Sequence, residues 1–563
     1  MPLTSNLILF VGQLPVEQRS CLLERNVLLN SLSSKLMRST ILGQWLQIVL
    51  PFYLIFILAI SWISRRRWSS SNDYLNASRS LPTWAAALSY LAYNCGSIEV
   101  IGISAMAAQY GVQALHFYWI GGIPGMVFTA IVVLPVYMRT GARSLPEYLG
   151  MRFGLRIRLL NVCTSLVSTV GFSGVALYAL AQVLHVFVGC SLVVGALASA
   201  SVVLVYVLLG GIRATIFTSI FQLFVMVAGL TPLLFLTVHF NFASFAQRSD
   251  RWHLWKPLPL LSPHAPLDCI GVAFGLGFVI SFSYWCTDFV MVQRALTART
   301  IDAARSVPLL AGFGKMVLAL LVVLPGVAAP GLLHGTKLVS FDETMMALMS
   351  FAFGPKLLAL GASALIASLM AGLAGNVSGF SALWTGEIYR RHLRRDCSEQ
   401  HYIRAGRVAV IVCFLLAQLA AYVTFCFHDL MEFLQLIVAL FYAPIFAAVL
   451  AGVYSRRTTE QGAFAGASLG VFAALTLQIS FWMGYVHFGS QMAVNFYAAI
   501  LSFTIAILGC AACKARKQEK RETEQNGVVL EACPLHAIRL TPSLAALSVT
   551  LLALCLLLNV FWW

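Results

Sequence analysis

A run of about twenty apolar residues suits a membrane-crossing helix, because in lipid the backbone must satisfy its own hydrogen bonds within the segment. This chain carries such runs one after another. Fourteen begin near Ile41, Pro82, Ala114, Leu159, Val188, Ala214, Leu267, Val307, Pro355, Ile403, Asp429, Gln461, Gln491 and Thr541. Only 10% of its 563 residues are charged, against about 25% in a soluble domain. The reading is an all-α integral membrane protein of about 14 transmembrane helices, multi-pass in the plasma membrane, with the lipid bilayer as its first partner.

The formal charge of +16 could point to a polyanion, but the basic residues form short runs between apolar segments. Seven alternate loops hold 27 of the 37 lysines and arginines, among them Arg65 to Arg67, residues 139–158 and residues 390–407. The opposite loops hold Arg248, Arg251, Lys256, Lys337 and Lys356. Under the positive-inside rule the rich loops are cytoplasmic and both termini lie outside; no nucleic-acid partner is expected. Cys510 and Cys513 form the one CxxC among thirteen scattered cysteines, which read as small hydrophobes. The first 36 residues make a poor signal peptide, and Met37 stands just before the first apolar run, so Met1 and Met37 both remain as starts.

Two runs are interrupted. "SYLAYNCGSIEVIG", residues 89–102, carries Asn94, Gly96, Ser97 and Glu99 in its middle, and "GFVISFSYWCTDFVMVQRAL", residues 277–296, carries Ser281, Ser283, Thr287 and Asp288. They are the second and seventh runs, five apart. That spacing predicts a five-plus-five inverted repeat over 82–238 and 267–453, each repeat opening on a broken helix that binds substrate and ion. Around it lie an extension, 1–40; an extra helix, 41–63; additional helices, 461–513; a basic cytoplasmic loop, 514–540; and a last helix, 541–563. The competing reading is that these serines and asparagines only bond neighbouring helices.

Four polar side chains stand inside apolar surroundings: Glu99, Asp288, Lys315 and Gln435. A charge there costs about 2.5–3.5 kcal/mol on insertion scales, so a functional role is the first reading. Snorkelling to the cytoplasmic surface is the alternative for Lys315, and an ion pair with Arg294 for Asp288. A further run, "MAGLAGNVSGFSALWTGEIYRR", is nearly bare on one helical stripe: Gly372, Gly375 and Gly379, with Ala371, Ser378 and Ala382 beside them. Such a face lets another backbone come close.

At these residues the chain resembles the sodium/solute symporter family, especially its sodium/glucose cotransporter branch. "YWCTDFVMVQRAL" is similar to that branch's YWCTDQ-x-x-VQR, with Phe289 in place of Gln. "YLNASRSLPTW", "LPVYMRTGARSLPEYLGMRFG", "GGIRATIFTSIFQL", "TGEIYRRHLR" and "SRRTTEQGAFAG" resemble further family motifs in the family's order. The likeness runs from about Ile41 to Met483. It implies the leucine-transporter-type fold and alternating access. It also implies a substrate site at Asn94, Tyr284 as inner gate with Trp285 beside it, and Lys315 and Gln435 facing a sugar-like solute. Glu99 takes the place of a polar sugar contact, Ser281 that of an Asn or Thr, and Tyr118 that of a sugar-binding glutamate. A sodium site is implied at the carbonyls of Ala92, Cys95 and Ser368 and at two serine hydroxyls, but those two positions are Ala371 and Gly372. The aspartate of a neighbouring motif is Ser219.

The sodium site has thus lost side-chain oxygens that a hard cation wants. Carbonyls with water, the hydroxyls of Ser368 or Ser378, or a proton on Glu99 or Asp288 are the substitutes; uncoupled transport is the remaining outcome. No nucleophile–base pair, metal-ligand cluster or Walker A motif is present. The expected function is therefore not enzymatic and needs no cofactor beyond sodium as a coupling ion. It is cation-coupled symport, sodium first, of a small polar organic solute. A proton-coupled or uncoupled carrier of the same fold, or a membrane sensor that moves nothing, are the alternatives.

Overall fold

The computed structural model describes residues 40–65, 81–97, 99–142, 144–245, 249–262, 264–333, 340–424, 427, 429–512 and 540–563. The expected extension 1–40, except for residue 40, lies outside them, as does all but the last residue of the loop 514–540. The apolar runs are helices: α1 Thr40–Arg65, α2 Thr83–Ser97, α3 Ser104–Tyr110, α4 Leu155–Val188, α5 Leu192–Phe245, α6 Ser281–Thr287, α7 Phe289–Ala295 and α8 Ile301–Leu332. After them come α9 Pro355–Leu383, α10 Glu399–Thr424, α11 Leu430–Ile437, α12 Ala443–Tyr454, α13 Glu460–Trp482, α14 Gln491–Ala512 and α15 Pro542–Phe561.

Among the described residues eleven helices are long and apolar enough to cross a membrane, or twelve if the bent pair α6–α7 is one span, against the fourteen expected. The difference arises where expected segments run together. Helix α5 holds two of them in 54 residues, turned at Gly211, whose φ of 60° suits glycine. Glu99–Arg139, 41 residues, joins the second half of one expected segment to the next.

Side-chain oxygens start several helices by accepting backbone N–H groups that lipid could not satisfy. Thr300 accepts from Ala303 at 3.2 Å to open α8, Asp429 from Glu432 at 2.8 Å to open α11, and Thr459 from Gly462 at 3.1 Å to open α13. Both expected breaks are present. In the first, Asn94, Gly96 and Ser97 do not interrupt the helix but lie inside α2, which ends at Ser97; a π-helical stretch Glu99–Ile103 then leads into α3. Helix α6 stops at Thr287. Asp288 is extended there (φ −61°, ψ 121°), and the chain bends by 59°. The Asp288 carboxylate accepts the Met291 N–H at 2.7 Å and so opens α7. Ser281 and Ser283 do not interrupt the helix as expected; both sit inside α6. Asp288 alone makes the break.

Helix α9 is buried along nearly all its length and forms the centre of the bundle. Its bare stripe meets both broken helices. A Cβ at Gly96 would lie 2.7 Å from the Ser368 carbonyl oxygen and 3.2 Å from the Ala371 Cβ. A Cβ at Gly375 would collide with the Tyr93 ring, and one at Gly379 with Val290 of α7. The stripe is a close-packing surface. At the periphery, Phe52 of α1, Leu419 of α10, Phe472 of α13 and Val549 of α15 turn outward, where lipid belongs.

The two ends of the bundle differ. The arginine-rich loops meet at one end. Glu387 pairs with Arg158 and accepts from Ser144 at 3.0 Å, Arg391 pairs with Glu147 at 2.8 Å, and Arg152 donates to the Ser455 carbonyl at 2.6 Å. At the other end the Leu254 N–H donates to the Trp562 carbonyl at 2.8 Å, and Trp252 packs on Trp562 with ring centroids 5.6 Å apart. Three of the loops read as cytoplasmic, 139–158, 390–407 and the one at Arg456 and Arg457, therefore share one end, and a poorly charged loop shares the other with the end of the C-terminal helix.

Candidate functional site

A cavity lies between the two breaks. Its wall includes Asn94 and Glu99 from the first broken helix, Tyr284 and Trp285 from the second, Lys315 from α8 and Gln435 from α11. Lys315 is its electrostatic hub. The side chain is buried, and its ammonium donates to Asn94 Oδ1 at 2.6 Å and pairs with the Glu99 carboxylate. It also lies 4.5 Å from the centroid of the Tyr118 ring and 5.3 Å from that of Trp285, where a cation meets the negative faces of the rings. Snorkelling is thereby excluded: Lys315 is only 1% exposed and points inward.

The second broken helix is tied to the first through Tyr284, whose hydroxyl accepts from Asn94 Nδ2 at 3.3 Å. Its ring stands edge-on to Trp285, with centroids 5.3 Å apart, and Trp285 Nε1 donates to the Gly121 carbonyl at 3.2 Å. Phe172 and Tyr442 stand beside Tyr284. Gln435 turns an oxygen into this region that has no hydrogen-bond partner in the protein.

Six of the eight expected substrate residues thus surround one cavity. Tyr118 and Ser281 do not line it. Tyr118 lies behind the Lys315 ammonium, and Ser281 packs against Gly125, where a Cβ would come within 2.8 Å of its hydroxyl. Asn376, Tyr93 and Phe172 line the cavity and were not singled out in the sequence. Asn376 accepts a hydrogen bond from the Tyr93 hydroxyl at 2.7 Å. It carried a signal, being an amide inside the glycine stripe. Phe172, an apolar ring in the apolar helix α4, carried none.

The expected cation residues also come together, but around little space. Ala92 and Cys95 end α2, and Ser368, Ala371 and Gly372 face them from α9 across the Gly96 contact. Ala371 and Gly372 offer no side-chain oxygen, and the Ser368 hydroxyl donates to the Leu365 carbonyl at 3.0 Å. Arg294 takes up the neighbouring space. Its buried guanidinium donates to the Ser89 carbonyl at 2.8 Å, to the Ser89 hydroxyl and to the Ser219 hydroxyl at 3.2 Å, and it lies 5.0 Å from the centroid of the Tyr93 ring. The pairing of Asp288 with Arg294 that the sequence left open does not form; the second Asp288 oxygen accepts from the Tyr442 hydroxyl at 2.9 Å instead.

Residues 74–470 match the family model of the sodium:solute symporter family. The chain belongs to this family. It is thus a member of a family of transporters and a multi-pass protein of the cell membrane. It is 26% identical to the sodium/glucose cotransporter of Vibrio parahaemolyticus over 465 residues, 76% of this chain and 84% of that one. It is 27% identical to sodium/glucose cotransporter 4 of Danio rerio (77% and 71% covered) and 26% identical to sodium/myo-inositol cotransporter 2 of Rattus norvegicus (76% and 69%). Among solved structures, a sodium-coupled sialic acid symporter in a substrate-bound outward-open state superposes with a TM-score of 0.70 at 17% identity, over 83% of this chain and 97% of that one. At that identity the likeness speaks for the fold.

Proposed function

We propose that this protein carries a small polar organic solute across the cell membrane by alternating access, coupled to a cation, with sodium the first candidate. The observation that carries this reading is the meeting of Asn94, Glu99 and Lys315 with Tyr284 at the gap between two broken helices, the place where such transporters bind their cargo. The cavity joins aromatic walls to a few polar groups, which suits a compact solute with polar edges and an apolar face. Because Asn94 and Glu99 already occupy the Lys315 ammonium, the Glu99 carboxylate and the Gln435 side-chain oxygen are left as acceptors. The solute they suit is rich in O–H or N–H donors, as a polyol is. Two relatives' names refer to glucose and myo-inositol and that of a structural neighbour to sialic acid, and sugar-like solutes are the first to test.

A second reading, the same fold running with little or no sodium coupling, rests on one observation of its own. Two backbones touch where the ion is expected, and a fixed guanidinium stands beside them. Uptake of labelled solutes into proteoliposomes, with and without an inward sodium gradient, tests both. Saturable uptake that falls in Asn94→Ala supports the carrier. Solute-dependent thermal stabilisation without any uptake overturns it in favour of a sensor.

A further inference from the structure

Away from this cavity, a groove opens where α4, α5 and α10 end on the side opposite the arginine-rich loops. It encloses about 350 Å³, more than one water fills. Ala181, Ala196 and Ala421 line it, one from each helix, with Tyr178, Leu192, Val193 and Tyr422 as its larger faces and Ser191 and Gln418 as polar ones. Around the groove the surface is apolar and open: Val193 is 50% exposed, Leu197 54% and Tyr422 49%. In a bilayer these side chains face lipid.

His185 reaches into the groove from α4 and is 8% exposed. Its Nδ1 lies 2.7 Å from the Cys190 carbonyl oxygen. A carbonyl only accepts, so Nδ1 carries the proton, and in the neutral ring Nε2 is a lone-pair acceptor. Nε2 is buried and has no hydrogen-bond partner in the protein. Acyl chains cannot donate to it, and a buried acceptor left without a donor is unfavourable. The groove therefore asks for a molecule with an apolar body and a hydrogen-bond donor at one end. A rigid body is favoured there over flexible chains, because a rigid ligand loses less conformational freedom on binding.

We infer that this groove binds a sterol-like lipid, a flat polycyclic molecule whose single hydroxyl donates to His185 Nε2 while its ring system lies over Ala181, Ala196 and Ala421. The inference does not depend on which solute the central cavity carries.

The test uses the full chain in phosphatidylcholine nanodiscs containing a photoreactive cholesterol analogue. Irradiation, proteolysis and mass spectrometry should place the label within residues 178–196 and 418–422. Unlabelled cholesterol should displace it, and the 3-keto analogue, which has no donor, should not. His185→Phe should lower labelling there about tenfold, the order of one hydrogen bond lost from a buried site. Ala421→Trp, which fills the groove and leaves His185 in place, should do the same if His185→Phe does not fold. Labelling spread evenly over all lipid-facing helices, labelling unchanged in these variants, or equal labelling of the groove by a photoreactive diacylglycerol would each overturn the sterol assignment.

Discussion

Two sides of one broken helix carry opposite kinds of chemistry. On one side, Asn94 and Glu99 face Lys315 across a cavity, and charge meets charge. On the other, Gly96 touches the backbone of α9 at Ser368, and the residues opposite are alanine and glycine. The end of α2, with the π-helical stretch after it, serves both. Where the partner helix brings a long charged side chain, the gap stays open and polar. Where it brings no side chain, the gap closes by packing. The difference teaches that a break in a membrane helix makes a site only in combination with what the neighbouring helix supplies.

The largest effect is expected on the charged side. Removing one member of a buried ion pair leaves the other uncompensated and costs about 3–5 kcal/mol. Lys315→Met or Glu99→Gln alone should therefore sharply lower thermal stability in detergent and abolish solute binding. The double variant should melt closer to the parent than Lys315→Met does, because no unpaired carboxylate remains. Equal melting of Lys315→Met and the double variant would mean that the pair is not energetically coupled.

The packed side should respond to size. Gly96→Ala places a methyl 2.7 Å from the Ser368 oxygen, a backbone atom that cannot swing away. Overpacking of this kind costs about 1–3 kcal/mol. The expected outcome is a lowered melting temperature with the cavity-lining residues untouched. A variant as stable as the parent would show that α2 and α9 are free to separate there, which would reopen space for an ion.

How far each side was legible follows from the same contrast. The broken helices could be read because polar residues in apolar runs have a cost, so Asn94, Glu99 and Asp288 stand out against their neighbours. The grouping of the arginine-rich loops at one end could be read for a similar reason. The glycine stripe was legible as a surface, but what it packs against was not; Tyr93 and Val290 are distant in sequence and fill it by shape alone. Lys315 was visible as a charge, while its choice of Glu99 over the cytoplasmic surface depends on how α8 crosses α2. Ser281 and Ser283 were legible as polar but not as helical: Ser283 bonds back to the Ile280 carbonyl at 3.0 Å, the Ser281 hydroxyl is buried with no hydrogen-bond partner in the protein, and neither interrupts α6.

A third change asks whether the packed side can be turned back into an ion site. Ala371→Ser restores one hydroxyl near the carbonyls of Ala92, Cys95 and Ser368. If the parent transports with weak sodium dependence, this variant should lower the sodium concentration for half-maximal uptake by up to about tenfold, the order of one hydrogen-bond-sized interaction. Measurement at one fixed pH keeps a carried proton from imitating the ion. Steep sodium dependence at low millimolar sodium in the parent would place the missing oxygens elsewhere in the protein.

The smallest effect should come from the link between the two breaks. The Asn94 to Tyr284 bond is 3.3 Å long, near the outer limit for such contacts. Tyr284→Phe removes the hydroxyl and keeps the ring that faces Trp285, Phe172 and Tyr442. A neutral hydrogen bond contributes about 0.5–1.5 kcal/mol, so solute affinity should weaken by no more than about tenfold. Tyr284→Ala also removes the ring and should do more, because the wall between the cavity and Tyr442 goes with it. If Phe and Ala at 284 are equally impaired, the hydroxyl matters more than the ring, and Tyr284 acts by holding the two breaks together rather than as a wall. If Phe is indistinguishable from the parent while Ala fails, the ring closes the cavity, and the tie between the broken helices lies in the Asn94–Lys315–Glu99 group alone.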